Sequence, residues 1–143
     1  MMNLLLILLF PLFQTEQSGL LQVKVTNVQE HKGSIRMAVY NHEKSFPSES
    51  HSFRGGVLPL SPGTSPTLFC DNLPFGQYAV AVYQDLNNNG KMDKNSLGIP
   101  TEPYAFSNNV RVKWRSPRFG EAAFVFGQAR QELVLSLKKW SQY

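Results

Sequence analysis

From residue 20 onward, apolar and polar positions alternate with a period of two, the mark of strands buried on one face. In LLQVKVTNV, Leu21, Val23 and Val25 fall on one face and Gln22, Lys24 and Thr26 on the other. In GSIRMAVYN, Ile35, Met37 and Val39 oppose Ser34, Arg36 and Ala38. Lys32-Gly33 lies between these strands and suits a tight hairpin. The polar stretch Asn41 to Gly56 reads as a long loop. VLPL and SPTLFCD follow as short strands, parted by the turn cluster Ser61-Pro62-Gly63. The clearest unit is LPFGQYAVAVYQD, in which Leu73-Pro74-Phe75-Gly76 makes a turn and Gln77 to Gln84 a strand. Both faces of that strand are apolar, with Tyr78, Val80 and Val82 on one and Ala79, Ala81 and Tyr83 on the other. Such a strand is central and covered on both sides, with small residues where something packs closely. From Asp85 to about Glu121 no strand pattern persists. A loop of that length in a compact domain is unusual and is often functional or disordered. Its aromatics, Tyr104, Phe106, Trp114 and Phe119, argue for order. EAAFVF and QELVLSLKK return to strands, with Leu133, Leu135 and Leu137 set against Glu132, Ser136 and Lys138. No segment keeps a helical period over three turns. About seven short strands at this spacing predict an all-β protein, a single β-sandwich with a long ordered loop.

Length changes the picture little: 143 residues suffice for one domain and are too few for two well-cored ones. The N-terminus changes it more. Leu4 to Phe13 is a ten-residue apolar run, too short to span a bilayer as a helix and the right length for the core of an export signal. Cleavage is expected between Gln14 and Gly19, leaving residues 1–18 as signal peptide and 19–143 as the domain. The mature chain is then expected to be exported to the periplasm, the cell envelope or the medium, with no transmembrane segment. One cysteine, Cys70, excludes an intrachain disulfide and reads as a small core residue. The net charge is +4, and removal of the signal, whose one charged residue is Glu16, raises it by one. That balance favours anionic surfaces without demanding nucleic acid, and no RNA-binding signature is present. His31, His42 and His51 stand eleven and nine residues apart in polar loops, which is not zinc-ligand spacing. No nucleophile elbow or H-E-x-x-H is present.

The stretch that carries chemistry is DLNNNGKMD. Calcium takes six to eight oxygen ligands, and a short loop supplies them when alternate side chains point inward and a glycine permits the bend. Asp85, Asn87 and Asn89 occupy three such positions and Gly90 the bend. The Lys91 carbonyl, Asp93 and Glu102 complete a candidate Ca²⁺ set. Ser96 stands where an EF-hand closes with glutamate, and no helix flanks the loop, so this is not an EF-hand. With two or three carboxylates the affinity expected is low, roughly 10⁻⁴–10⁻³ M. The other reading is an Asn-rich β-turn, since Asn and Gly tolerate left-handed backbone and cap themselves locally.

Tyr83 to Asn109, YQDLNNNGKMDKNSLGIPTEPYAFSNN, and Ser116 to Phe124, SPRFGEAAF, resemble the bacterial DUF2141 family of secreted proteins of unknown function. Asp85, Asn87, Asn89, Gly90, Asp93, Asn95, Gly98, Pro100, Glu102, Tyr104, Phe106, Ser107, Asn108 and Asn109 fill its long pattern. Pro117, Phe119, Ala122 and Phe124 fill a second element. The resemblance implies no activity. LPFGQYAVAVYQD is also similar to a strand of transthyretin-like and carboxypeptidase-regulatory-like sandwiches, which implies a transthyretin-like (prealbumin-like) sandwich. The basic stretch Arg111 to Arg118 departs from the family pattern.

In RVKWRSPR, Arg111, Lys113, Arg115 and Arg118 surround Trp114. Read as chemistry, this is a cationic aromatic patch for a polyanion or a glycan. Read as structure, and this is the expectation, it is a solvated strand or loop with Trp114 turned inward. The protein is therefore expected to be a non-enzymatic binding or cell-envelope accessory module. A calcium-stiffened loop would present Tyr104, Phe106, Ser107, Asn108, Asn109 and Trp114 to a glycan, an envelope component or an anionic surface. One alternative is a hydrolase or lyase using Asp93 and Glu102 as an acid–base pair. The other is a structural sandwich without a metal site.

Overall fold

The protein is described by a computed structural model covering residues 15–63 and 65–143. The apolar run Leu4–Phe13 assigned to an export signal lies outside the described residues. Eight strands form: β1 Ser18–Thr26, β2 Ser34–Tyr40, β3 Arg54–Pro59, β4 Thr67–Pro74, β5 Gly76–Asp85, β6 Tyr104–Phe106, β7 Phe124–Phe126 and β8 Arg130–Ser136. One short helix, α1, spans Phe119–Ala122. No helix among the described residues is long and apolar enough to cross a membrane.

The strands make two sheets, neither closed. The smaller has the order β4-β1-β8, and the larger β3-β2-β5-β6 with β7 also pairing with β5. β1 and β8 run parallel, with Leu21 opposite Gln131 and Val25 opposite Leu135. The alternation read from the sequence places the core. Leu21, Val23 and Val25 of β1 and Leu135 of β8 meet Ile35, Met37 and Val39 of β2 and Tyr78, Val80 and Val82 of β5. Cys70 is buried among them, and burial pushes its thiol up. Burying each of these aliphatic side chains stabilises the fold by about 1.5–3 kcal/mol before entropy is counted.

Three expectations need correction. β1 and β2 do not form a hairpin, because they lie in different sheets: the edges of β1 are taken by β4 and β8, those of β2 by β3 and β5. The link between them instead crosses from sheet to sheet, held by Gln84, which is buried. Its Oε1 accepts the Gln29 amide at 2.8 Å, and its Nε2 donates to the carbonyls of Gln29 at 2.6 Å and Lys32 at 2.8 Å. Gly33 is required there. A Cβ at that position would lie 1.9 Å from the Asp85 carbonyl oxygen, and its φ is +76°. Second, the segment after Asp85 does contain a strand, β6, three residues long and paired with β5. Third, EAAFVF is not all strand: α1 takes its first residues and β7 only Phe124–Phe126.

Candidate functional site

β5 carries the site, because both its faces are covered. Its inner face joins the core. On its outer face, strand register builds two rows across the larger sheet. Ala38 of β2 pairs with Ala81 of β5 and then Phe106 of β6. Arg36, Tyr83 and Tyr104 form the next row. Two alanines side by side leave a depression that larger side chains would fill. The chain after β5 passes along one side of it as the loop 86–103, and the chain after β6 returns along the other as residues 111–116. The result is an open cleft of about 630 Å³, floored by the two rows. Met92, Leu97, Ile99 and Pro100 wall it on one side and Val112, Trp114 and Trp140 on the other.

The first wall is anchored by the Asp/Asn turn, of which Met92 reaches the cleft. Asp85 is fully buried (0% exposed). Its Oδ2 accepts Arg36 Nε at 2.8 Å and the Gly90 amide at 2.9 Å, and its Oδ1 accepts the Asn89 amide at 3.1 Å. Burial works to raise this carboxyl, but the Gly90 amide, the Arg36 guanidinium and the Asn89 amide together hold it below the ordinary aspartate value. Arg36 also faces Glu49 at 3.9 Å. Asn87 Oδ1 accepts the Asn89 amide, and Asn89 Oδ1 accepts that of Lys91. Asp93 receives both side-chain amides, Asn87 Nδ2 and Asn89 Nδ2, each at 2.6 Å. Ser34 Oγ ties Asn88 to β2 at 2.8 Å. Glu102, also buried, spans the loop from beneath: Oε1 accepts the Leu86 amide at 2.8 Å and Oε2 the Asp93 amide at 3.0 Å. Burial raises its carboxyl, with the Asp93 and Leu86 amides pulling the other way. Asn88 and Gly90 take the left-handed backbone that closes the turn, with φ of 55° and 82°.

The structure thus brings all six expected metal residues into one loop. The acidic oxygens there already accept hydrogen bonds from the chain itself, and Lys91 contributes its amide. Among the described residues no three His, Cys, Asp or Glu side chains gather as a metal-binding group. Asp93 and Glu102, the expected acid–base pair, do not line the cleft.

The expected binding surface divides. Tyr104 and Phe106 line the cleft floor. Ser107, fully buried, instead receives the Val80 amide at 2.9 Å and donates to the Ala122 carbonyl. Asn108 Nδ2 donates to the carbonyls of Glu121 and Ala123, and the Asn109 side chain bridges Val134 and Ser136 of β8. These three residues fasten the chain after β6 to α1, β5 and β8. Trp114 corrects the expectation that it turns inward: it is 82% exposed, with its ring 5.1 Å from that of Trp140 in an edge-to-face contact. The basic residues around it are not equivalent. Arg115 makes a two-pronged pair with Glu121, both contacts at 2.8 Å, and this pair with the Arg118 amide holds the Glu121 carboxyl down to about 2. Lys113 Nζ sits 4.5 Å over the Trp140 ring.

Sequence reasoning missed Arg36, Gln84 and Trp140. An arginine flanked by Ser34 and Ala38 on the outer face of its strand is the signal that could have found the first, since small neighbours leave it room to reach an acid. Nothing local marks the other two.

An all-β protein of two sheets with an open apolar cleft on one outer face is the class that fold and site define. The chain belongs to the DUF2141 family, described as an uncharacterized protein conserved in bacteria, whose profile matches residues 23–133. No curated protein and no solved structure matches it.

Proposed function

We propose that this protein is an exported, non-enzymatic binding module that holds a small apolar-bodied ligand in the cleft over Ala38 and Ala81. The observation that carries this is the cleft mouth. Leu97 and Trp114, the most exposed large apolar side chains among the described residues at 81% and 82%, both line the cleft whose floor holds the Ala38–Ala81–Phe106 row. Exposed apolar side chains gathered at one concavity are the mark of a binding surface rather than of ordinary solvent-facing residues. A volume of about 630 Å³ is that of a small-molecule site. The apolar run Leu4–Phe13 supports export, and the shared core of the two sheets supports a transthyretin-like sandwich. The loop 86–103 is a self-capped wall rather than a calcium site. Its carboxylates accept amides and Arg36, and Asp93 and Glu102 lie outside the cleft lining, which supports the non-enzymatic reading.

Both tryptophans of the chain line the cleft, so intrinsic fluorescence reads its occupancy. We expect 1-octanol or octanoate, at low millimolar concentration, to shift Trp emission in the wild type and not in Ala81→Leu, whose larger side chain fills the floor. The thermal midpoint of that variant checks that it remains folded. No response to either probe would overturn the reading.

A further inference from the structure

We infer that the ligand is an amphipathic monoanion, an alkyl carboxylate, with its chain against the Ala38–Ala81 floor and its head at Lys94 and Lys113. This rests on the cleft reading above and adds the ligand's chemistry to it. Most polar groups around the cleft are already engaged. Tyr40 Oη donates to the Pro47 carbonyl at 3.0 Å, Tyr83 Oη to Glu49 at 3.2 Å, and Trp140 Nε1 to the Lys113 carbonyl at 3.0 Å. Arg36 is held by Asp85 and Glu49, and Arg115 by Glu121. A sugar, which must exchange many hydroxyl–water bonds for hydroxyl–protein bonds, finds few groups free to receive it.

Lys94 and Lys113 remain. Both line the cleft, and neither takes part in an ion pair among the described residues. Glu49, the acidic residue of the lining, already serves Arg36 and Tyr83. Asp85 already neutralises Arg36, so Glu49 offsets one of the two lysines, and the cleft keeps a single surplus positive charge carried by ammonium groups with three donors each. That is enough for one anionic head and too little to neutralise a polyanion. The walls beside these lysines are Leu97, Trp114 and Trp140, which accept a hydrocarbon body.

The test compares octanoate, 1-octanol and acetate by tryptophan emission on the intact domain. In a purely apolar cleft the carboxylate binds worse than the alcohol, because it gives up more hydration. The inference expects the reverse at low ionic strength: octanoate about three- to tenfold tighter than octanol, the sum of two exposed ion pairs. The preference should collapse in 0.5 M salt. Lys94→Gln and Lys113→Gln should each lower the ratio of octanoate to octanol affinity about two- to fivefold. Octanol equal to or tighter than octanoate, with no salt effect, overturns the inference and leaves the cleft reading standing. Silence from both overturns the cleft reading itself. Acetate binding as well as octanoate would make the site an anion site without an apolar subsite, and also overturns the inference. So would binding to phosphatidylglycerol vesicles without an octanoate response, which assigns the lysines to a membrane surface.

Discussion

Residues 85–103 and residues 111–116 wall the same cleft in opposite ways. The first segment turns its carboxylates and amides onto its own backbone and onto Arg36, and Glu102 anchors it from below. The second carries an exposed Trp114 and a Lys113 that has no ion pair among the described residues and lies over the face of Trp140, and its firm attachment is the Arg115–Glu121 pair. A binding site needs both kinds of segment. One wall must hold its shape without a ligand, and the other must keep surface that water covers poorly until a ligand arrives. The contrast makes a narrower claim: substitutions in the Asp85–Glu102 hydrogen-bond network behind the first wall act on stability, and those at Trp114 in the second act on binding.

The hardest test of that claim is Asp85→Ala. It leaves Arg36, whose side chain is 24% exposed, with only the distant Glu49, and it leaves the Gly90 amide without its acceptor and the Asn89 amide with Asn87 Oδ1 alone. Removing one partner of a pair whose acid is fully buried costs about 3 kcal/mol. We expect that loss in urea unfolding, together with new proteolytic cleavage between residues 86 and 101 in the still-folded fraction. A loss under 1 kcal/mol would mean that the first wall is not held by this carboxylate.

Glu102→Gln should cost less, about 1–2 kcal/mol at neutral pH, since one amide oxygen cannot accept both the Leu86 and the Asp93 N–H. The two acids should also separate by pH. The Asp85 carboxyl is lowered by folding, so its contribution is present above the ordinary aspartate value and is lost as pH falls through the lowered one. The Glu102 carboxyl is raised, so the folded chain retains a proton that the unfolded chain has released. Stability then declines as pH climbs from the ordinary glutamate value through the raised one. Unfolding measured across acid pH should show a shallower acid-side loss in Asp85→Asn than in wild type. In Glu102→Gln the decline on the higher side should be missing.

Much of this was legible in advance, for physical reasons. The faces of β1, β2 and β8 follow from alternation alone, because one buried face fixes the period. The importance of Asp85 and Glu102 was legible too, because acids interleaved with Asn and Gly mark a constrained turn. Their partners were not. Arg36 lies 49 residues from Asp85, and only strand register brings it there. Register also defeats the hairpin expected at Lys32-Gly33: alternation says which face a strand buries, not which strand it pairs with, and β8 reaches β1 from the far end of the chain. The small residues of AVAVY read as a place where something packs closely, whereas an open cleft lies over Ala81. Its floor needed Ala38 beside Ala81, a fact of pairing rather than of sequence.

Trp114→Ala probes the other wall. Its ring is exposed and touches Trp140 by one edge, so stability should move by no more than about 0.5 kcal/mol. Octanol binding should weaken by about tenfold, the loss of part of an aromatic contact surface. A stability loss as large as that of Asp85→Ala would erase the distinction between the walls.

The smallest expected effect concerns calcium. A cation among Asp85, Asn87, Asn89 and Asp93 needs oxygens facing it, yet both Asn side chains direct nitrogen toward Asp93. Admitting the ion would require turning both amides over and breaking two short hydrogen bonds. Asp85 could join only by weakening its pairing with Arg36, a cation already in place. The self-capped loop therefore predicts a thermal midpoint that is the same, within about 1 °C, in millimolar calcium and in chelator. A native-state ligand at a hundred times its Kd would add about 2.7 kcal/mol, several degrees for a domain of this size. A rise of that order, abolished by Asp93→Ala, would replace the hydrogen bonds of the first wall with an ion. The wall would then be stiff only when loaded, and the cleft would accept its ligand only in calcium.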